Sequence, residues 1–182
     1  MSERVRAVIE RAPGPEEARS TMLRFLDHHP DALQRSCAAG HLTASAAVVD
    51  SQRRAALLVL HHKLGLWLQP GGHADGNDDL AAVALREAAE ETGISGLVLI
   101  DGPIDLDVHD IPAHEGDPAH VHLDVRYLVR VPHGATPKLN DEVDGFWWIT
   151  LDELDPSDLD ESTKRLLRVA LTSPSLFAEG GQ

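Results

Sequence analysis

The chain of 182 residues has a single cysteine, Cys37, so no disulfide can form within it. That scarcity fits a reducing compartment, and a cytoplasmic location is the expectation. Basic residues are also few: 16 Lys and Arg stand against 30 Asp and Glu, giving a formal net charge of −14. Proteins that bind nucleic-acid backbones normally carry a basic face, so no general nucleic-acid binding is expected. The same charge repels an anionic ligand unless metal ions or local cations intervene. No apolar run reaches the length that crosses a bilayer, and no membrane association is expected. The opening MSERVRAVIE is charged and lacks the apolar stretch of a secretory signal. Internal repeats and low-complexity linkers are absent. With 42% hydrophobic and 25% charged residues, the composition is that of one globular domain with a sizeable core.

Residues 1–39 read as a helical extension. Pro15 opens a helix through EEARSTMLRFLDHH, with Met22, Leu23, Phe25 and Leu26 as its buried face, and Pro30 stops it. DALQRSCAAG reads as one more short helix ending at Gly40. This extension is a packing appendage or a lid that sets specificity. From His41 the pattern changes. HLTASAAVVD and RRAALLVLHH are β-branched and aliphatic runs, expected as two strands joined at Asp50–Arg53. Further strands are expected in GLVLID, PIDLDVHDIPAH, AHVHLDVRYLVRVP and KLNDEVDGFWWIT. ESTKRLLRVALTS is an amphipathic helix capped by Glu161 or Ser162, and residues 173–182 form a loose tail. Strands flanked by helices indicate an α/β sandwich with a mixed sheet.

Gly72 to Ile94, GHADGNDDLAAVALREAAEETGI, carries the most information. Asn77 or Asp78 caps a helix that Gly93 ends, with Leu80, Ala81, Ala84, Leu85 and Ala88 as its apolar stripe. Glu87, Glu90 and Glu91 are spaced i, i+3 and i+4, so they leave one helix face together. Like charges at this spacing cost a helix about 0.2–0.5 kcal/mol per pair. A hard divalent cation, which takes carboxylate oxygens, turns that repulsion into a binding site.

The segment resembles the Nudix box of the Nudix hydrolases: Gly, five residues, Glu, seven residues, Arg-Glu, an aliphatic, any residue, Glu-Glu, any residue, Gly, an aliphatic. Gly72, Arg86, Glu87, Glu90, Glu91, Gly93 and Ile94 fall in register, and Ala88 is a small version of the first aliphatic. Asp78 stands where the pattern has Glu. The resemblance implies a Nudix-type α/β/α sandwich with a mixed sheet over residues 40–172. It implies hydrolysis of a phosphoanhydride bond in a nucleoside diphosphate linked to another moiety, with Mg²⁺ or Mn²⁺ as cofactor. By the same resemblance Glu87, Glu90, Glu91 and the Gly72 carbonyl hold the metal. Glu87 or Glu90 is the general base, and Arg86 joins the catalytic set by orienting a box glutamate. The partner implied is a small nucleotide-type molecule. Homodimers are common in the family, though the chain offers no distinct interface signature.

Outside the box, strand alternation puts Asp105, Asp107 and His109 on one face, and His120, His122, Asp124 and Arg126 on one face of the next strand. A loop over 112–118, holding His114 and Glu115, would make the two a hairpin with a histidine-rich patch. That patch is a substrate-binding surface, a second transition-metal site at His120 and His122, or a solvated strand face. Individual histidines carry little weight in a chain with 11 of them. Glu142 or Asp144 is a candidate further carboxylate, and Trp147 and Trp148 alternate, so one is core while Trp148 is a candidate to stack on a base. Cys37 reads as a small buried residue.

Two other functions fit the fold. One is a Nudix-fold binding or regulatory domain without catalysis, which would be expected to lose box glutamates; all three are intact. The other is an isomerase like the isopentenyl-diphosphate isomerases, which use a cysteine in a strand near the diphosphate, whereas Cys37 precedes the first strand. No substrate marker is visible. The nearest proline beyond the expected spacing from the box is Pro112, the only tyrosine, Tyr127, is too distant, and no coenzyme A motif precedes the box.

Overall fold

The computed structural model of the chain describes residues 2–113, 118–141 and 143–177. One seven-stranded sheet runs through it: β1 (Gly40–Asp50), β2 (Ala55–His61), β3 (Trp67–Leu68), β4 (Gly71–His73), β5 (Val98–Ile111), β6 (His120–Arg130) and β7 (Val143–Thr150). The main path is β3-β2-β1-β6-β5, with β4 also on β1 and β7 on β2. β1 and β6 are parallel and the other pairings antiparallel, so the sheet is mixed. Helices α1 (Glu3–Arg11), α2 (Glu16–His28) and α3 (Leu80–Thr92) cover one face; α4 (Glu161–Thr172) and α5 (Pro174–Phe177) cover the other. This is the α/β/α sandwich expected. No helix among the described residues is long and apolar enough to cross a membrane.

Alternation along β1 decides what each face holds. Leu42, Ala44, Ala46 and Val48 join Leu123, Val125 and Tyr127 of β6 in the core beneath α1, α2 and α3. Ala47 and Val49 join Leu128 and the α4 residues Leu166, Leu167 and Ala170 on the other side. Val5, Ile9 and Met22 are fully buried in the first of these cores, so α1 and α2 share the packing of α3. Polar contacts tie the start of α1 to the loop before α3. Ser2 Oγ donates to Asp78 Oδ2 at 2.7 Å, and Arg4 pairs with Asp79 at 2.7 Å. The departure from the box pattern, Asp78, thus has a partner supplied by the N-terminal segment.

Four local expectations are corrected. Residues 30–39 form successive tight turns instead of a helix, with Gln34 N–H on Asp31 and Cys37 N–H on Gln34. The segment is tied sideways, through Leu42 N–H on the Ala32 carbonyl and Gly76 N–H on the Leu33 carbonyl, and those acceptors are lost to a helix. β5 is one strand, not two: the chain passes Gly102–Pro103 by shifting register between Ile100 and Asp105, with Asp101 at φ 59°. Asp79 caps α3, its side chain accepting from Ala82 N–H at 3.1 Å. Asp160 caps α4 through Thr163 N–H at 2.9 Å.

Candidate active site

Gly72 sits on β4 opposite Ala44, so its Cα faces the helix layer of α3. The Glu87 side chain lies directly against it: a Cβ at Gly72 would come 2.4 Å from Glu87 Cδ. Only a glycine leaves room for a carboxylate pressed against the strand. Glu87 is 15% exposed and Glu90 58%, so the box carboxylates grade from the cleft wall to solvent. Arg86 joins them, Nη2 at 2.7 Å from Glu87 Oε1 and Nη1 at 3.3 Å from Glu90 Oε2. This geometry suits an orienting role. Asn140 Nδ2 donates to the Glu90 carbonyl at 2.8 Å.

A cleft of about 270 Å³ opens here, lined by Gly72, Glu87 and Glu91 of the box, by His61, His62 and Lys63 after β2, and by His73, Asp75 and Asp141. Carboxylates, a lysine and three histidines line it together. His61 Nδ1 is buried with no hydrogen-bond partner among the described residues. His62 Nδ1 lies 2.8 Å from Asp144 Oδ1. Hard oxygen donors beside a close-packed glycine fit a divalent cation such as Mg²⁺. The sequence reading missed His61, His62, Lys63 and His73 as site residues, although the position of His73 next to Gly72 was a signal.

Two paired substitutions separate what the adjacent glycines do. A Cβ at Gly71 would come 2.8 Å from the Ser45 Cα and 3.1 Å from the Ala44 carbonyl, where only backbone can yield. Gly71→Ala is therefore expected to lower stability by about 1–3 kcal/mol. At Gly72 the obstacle is the end of a side chain, so Gly72→Ala should displace Glu87 and cut turnover at least tenfold while the Tm falls less. A Gly72→Ala enzyme with wild-type turnover would contradict this placement of Glu87.

The opposite face of the sheet carries the polar patch expected from the strand pattern, and β5 and β6 form the hairpin. Cross-strand register arranges it in rows. His41, His122 and His109 share one, Thr43, Asp124 and Asp107 the next, and Ser45, Arg126 and Asp105 the third. The expectation of a substrate surface is corrected for Asp124 and Arg126. α4 lies over them and they are 3% and 2% exposed. Arg126 donates from Nε to Asp124 at 2.9 Å and pairs with Asp105 at 3.3 Å and Asp107 at 3.0 Å. Thr43 and Ser45 donate to Asp124 at 3.0 and 2.6 Å. Arg165 of α4 pairs with Asp105 and Asp107 at 3.0 and 3.1 Å. Burial alone would raise the Asp107 carboxyl, but His109, Arg126, Ser162 and Arg165 together hold it well below the usual carboxylate range.

At the edge of this layer His41, His73, His109, His120 and His122 converge. Burial lowers the His41 ring, reinforced by His120. Burial, then Arg35 and His41, brings His73 down to about 4. Burial, then His109 and the neighbouring rings, brings His122 down to about 2. Trp148, the candidate to stack on a base, sits on β7. It pairs with Leu57 far along β7 from the cleft, and Arg53 Cζ lies 5.1 Å from its ring centre. Trp147 packs edge-on against Trp67 in the other core. Glu142, His114 and Glu115 lie outside the described residues. Cys37 is buried, as expected.

A mixed sheet between helical layers, with a Gly-x₅-Asp-x₇-Arg-Glu-x₂-Glu-Glu helix against one of its strands, defines a fold and a site together. The family model of the NUDIX domain matches residues 40–169. Among solved structures, an Ap4A hydrolase binary complex from C. elegans superposes with a TM-score of 0.56 at 19% identity, covering 70% of this chain and 93% of that one. A NUDIX-family hydrolase from Clostridium perfringens gives 0.55 at 24% identity, over 72% and 95%. A MutT NUDIX hydrolase from Burkholderia pseudomallei gives 0.51 at 26% identity, over 69% and 94%. The chain belongs to the Nudix family, and with it to the pyrophosphohydrolases.

Proposed function

We propose that this enzyme uses Mg²⁺, or Mn²⁺ in its place, to hydrolyse the phosphoanhydride bond of a nucleoside diphosphate linked to another moiety. The observation that carries this reading is the Glu87 carboxylate against Gly72, at the wall of a cleft that Lys63 and His61 also line. Gly72 O, Glu87, Glu90 and Glu91 would hold the cation. A cation held there would supply neutralising charge for the phosphate oxygens and a lowered pKa for the attacking water. Lys63 and the ring of His61, both on the cleft lining, would meet the anionic phosphates, offsetting the net charge of −14. Glu87 or Glu90 takes the proton of the attacking water, and the bridging oxygen leaves with the departing phosphate. Arg86 keeps both carboxylates in place. Support for a nucleotide-type substrate comes from solved relatives of the same fold. One, from C. elegans, is named an Ap4A hydrolase.

The test is product release from a panel of dinucleoside polyphosphates, nucleoside triphosphates and nucleoside diphosphate sugars, with Mg²⁺, with Mn²⁺ and with chelator, beside Glu90→Gln. Turnover that needs metal and is lost in the variant is the expected result. Equal rates in chelator, or in Glu90→Gln, would remove the basis for the proposal.

A further inference from the structure

His41 is 4% exposed, yet neither of its ring nitrogens has a hydrogen-bond partner among the described residues. The nearby Cys37 carbonyl favours a proton on the ring but makes no hydrogen bond of ordinary geometry with it. Leaving a buried polar group unsatisfied costs about 1–3 kcal/mol. An apolar side chain would fill the space without that cost, so packing alone does not explain an imidazole here.

The two rings facing His41 supply an explanation. One nitrogen each from His41, His73 and His122 lies within 4.8 Å of the other two. The ring centres are 4.8 Å apart for His41 and His73, 4.9 Å for His41 and His122, and 5.2 Å for His73 and His122. His120 adds a fourth nitrogen: its Nε2 is 3.1 Å from His122 Nε2. Its Nδ1 is 2.8 Å from the Pro118 carbonyl, an acceptor, so Nδ1 carries the proton and a neutral ring leaves Nε2 bare. Two imidazoles on one tetrahedral Zn²⁺, with bonds of about 2.0–2.1 Å, hold their nitrogens roughly 3.3–3.4 Å apart. The His120–His122 spacing is close to that already.

We infer that His41, His73 and His122 form a binding site for a divalent transition metal of the Zn²⁺ type, with His120 as its fourth ligand. The donors are all imidazole nitrogens, which suit Zn²⁺ and its neighbours, whereas the box offers carboxylates for a hard cation. Gly72 opposes Ala44 and His73 opposes Thr43, so the two residues face opposite sides of β4, and His73 stands between the histidine cluster and the wall of the cleft. A metal on His73 would therefore fix the peptide segment that carries Gly72. The site stands on its own residues and does not depend on the reaction at the box.

The probe is Co²⁺, added to metal-stripped protein with excess Mg²⁺ present. One Co²⁺ per chain is expected, with the intense visible bands of four-coordinate nitrogen ligation, displaced by Zn²⁺ and unchanged in Glu87→Gln. His122→Gln should weaken Co²⁺ binding by more than the roughly 10–100-fold that loss of an outer-shell partner costs. A pale six-coordinate spectrum, or binding lost in Glu87→Gln and kept in His122→Gln, would overturn the inference. Wild-type protein labelled with ¹⁵N-histidine provides a measurement that no misfolded variant can obscure. Zn²⁺ should shift ring-nitrogen resonances of His41, His73 and His122, and their indifference to Zn²⁺ would count equally against the site.

Discussion

Glu87→Gln should lower kcat by about 10²–10⁴-fold, the range spanned by loss of a general base. The substitution keeps the shape of the side chain and the packing against Gly72, while it removes the charge and turns one acceptor oxygen into a donor NH₂. Glu87 is more enclosed than Glu90, 15% exposed against 58%. It also receives Arg86 at 2.7 Å. A lost charge there acts twice, on metal affinity and on the acceptor for the water proton. Raising the Mg²⁺ concentration should therefore recover part of the loss and not all of it. Steady-state kinetics across a Mg²⁺ titration checks this. A loss below tenfold at saturating Mg²⁺ would assign Glu87 to the scaffold.

Arg126→Met carries the largest expected cost in stability, about 3–5 kcal/mol, because it strands buried carboxylates that the guanidinium now joins. At roughly 2–4 °C per kcal/mol for a chain of this size, the Tm should fall by about 6–20 °C. Methionine matches the stem of arginine, so lost packing contributes little. The pH dependence gives the cause. In the wild type the Asp107 carboxyl is held low, so its contribution is present above the ordinary carboxylate pKa of about 4 and is lost as the pH falls further. In the variant burial acts on Asp107 with Arg126 gone, so protonation relieves the strain. The Tm difference between the two proteins should shrink from pH 7.5 to pH 5. A difference that is constant or grows in acid would mean that uncompensated charge is not the source of the loss.

The box helix was legible in the sequence because its three signals are local: a glycine stop, an apolar stripe and three glutamates within five residues. The strand faces of β5 and β6 were legible for the same reason, since alternation needs no knowledge of the rest of the fold. What covers a face is not local. Asp124 and Arg126 read as an open surface until α4, some forty residues later, brings Ser162 and Arg165 over them. The turns at 30–39 have helix-compatible composition, and only their bonds to Leu42 and Gly76 exclude a helix. His41 and His73 belong with His122, but they are separated from it by 81 and 49 positions, and no short motif spans such gaps. The cap of α3 was expected at Asn77 or Asp78 and falls on Asp79, because the bend of the loop, which local composition does not set, decides which side chain reaches the Ala82 N–H.

The branched pairing of β1 has a consequence for synthesis. β2 and β4 follow β1 within about twenty residues and can join it as soon as they emerge, but its parallel neighbour β6 is completed only at Arg130, 80 residues after Asp50. At about 5–20 residues per second, translation leaves that edge of β1 without its strand for roughly 4–16 s. Backbone donors and acceptors flanked by Leu42, Ala44, Ala46 and Val48 are then open to any other extended chain. A ribosome stalled between residues 75 and 120 would present that edge throughout the pause, and chaperone demand should rise with codons that slow this interval.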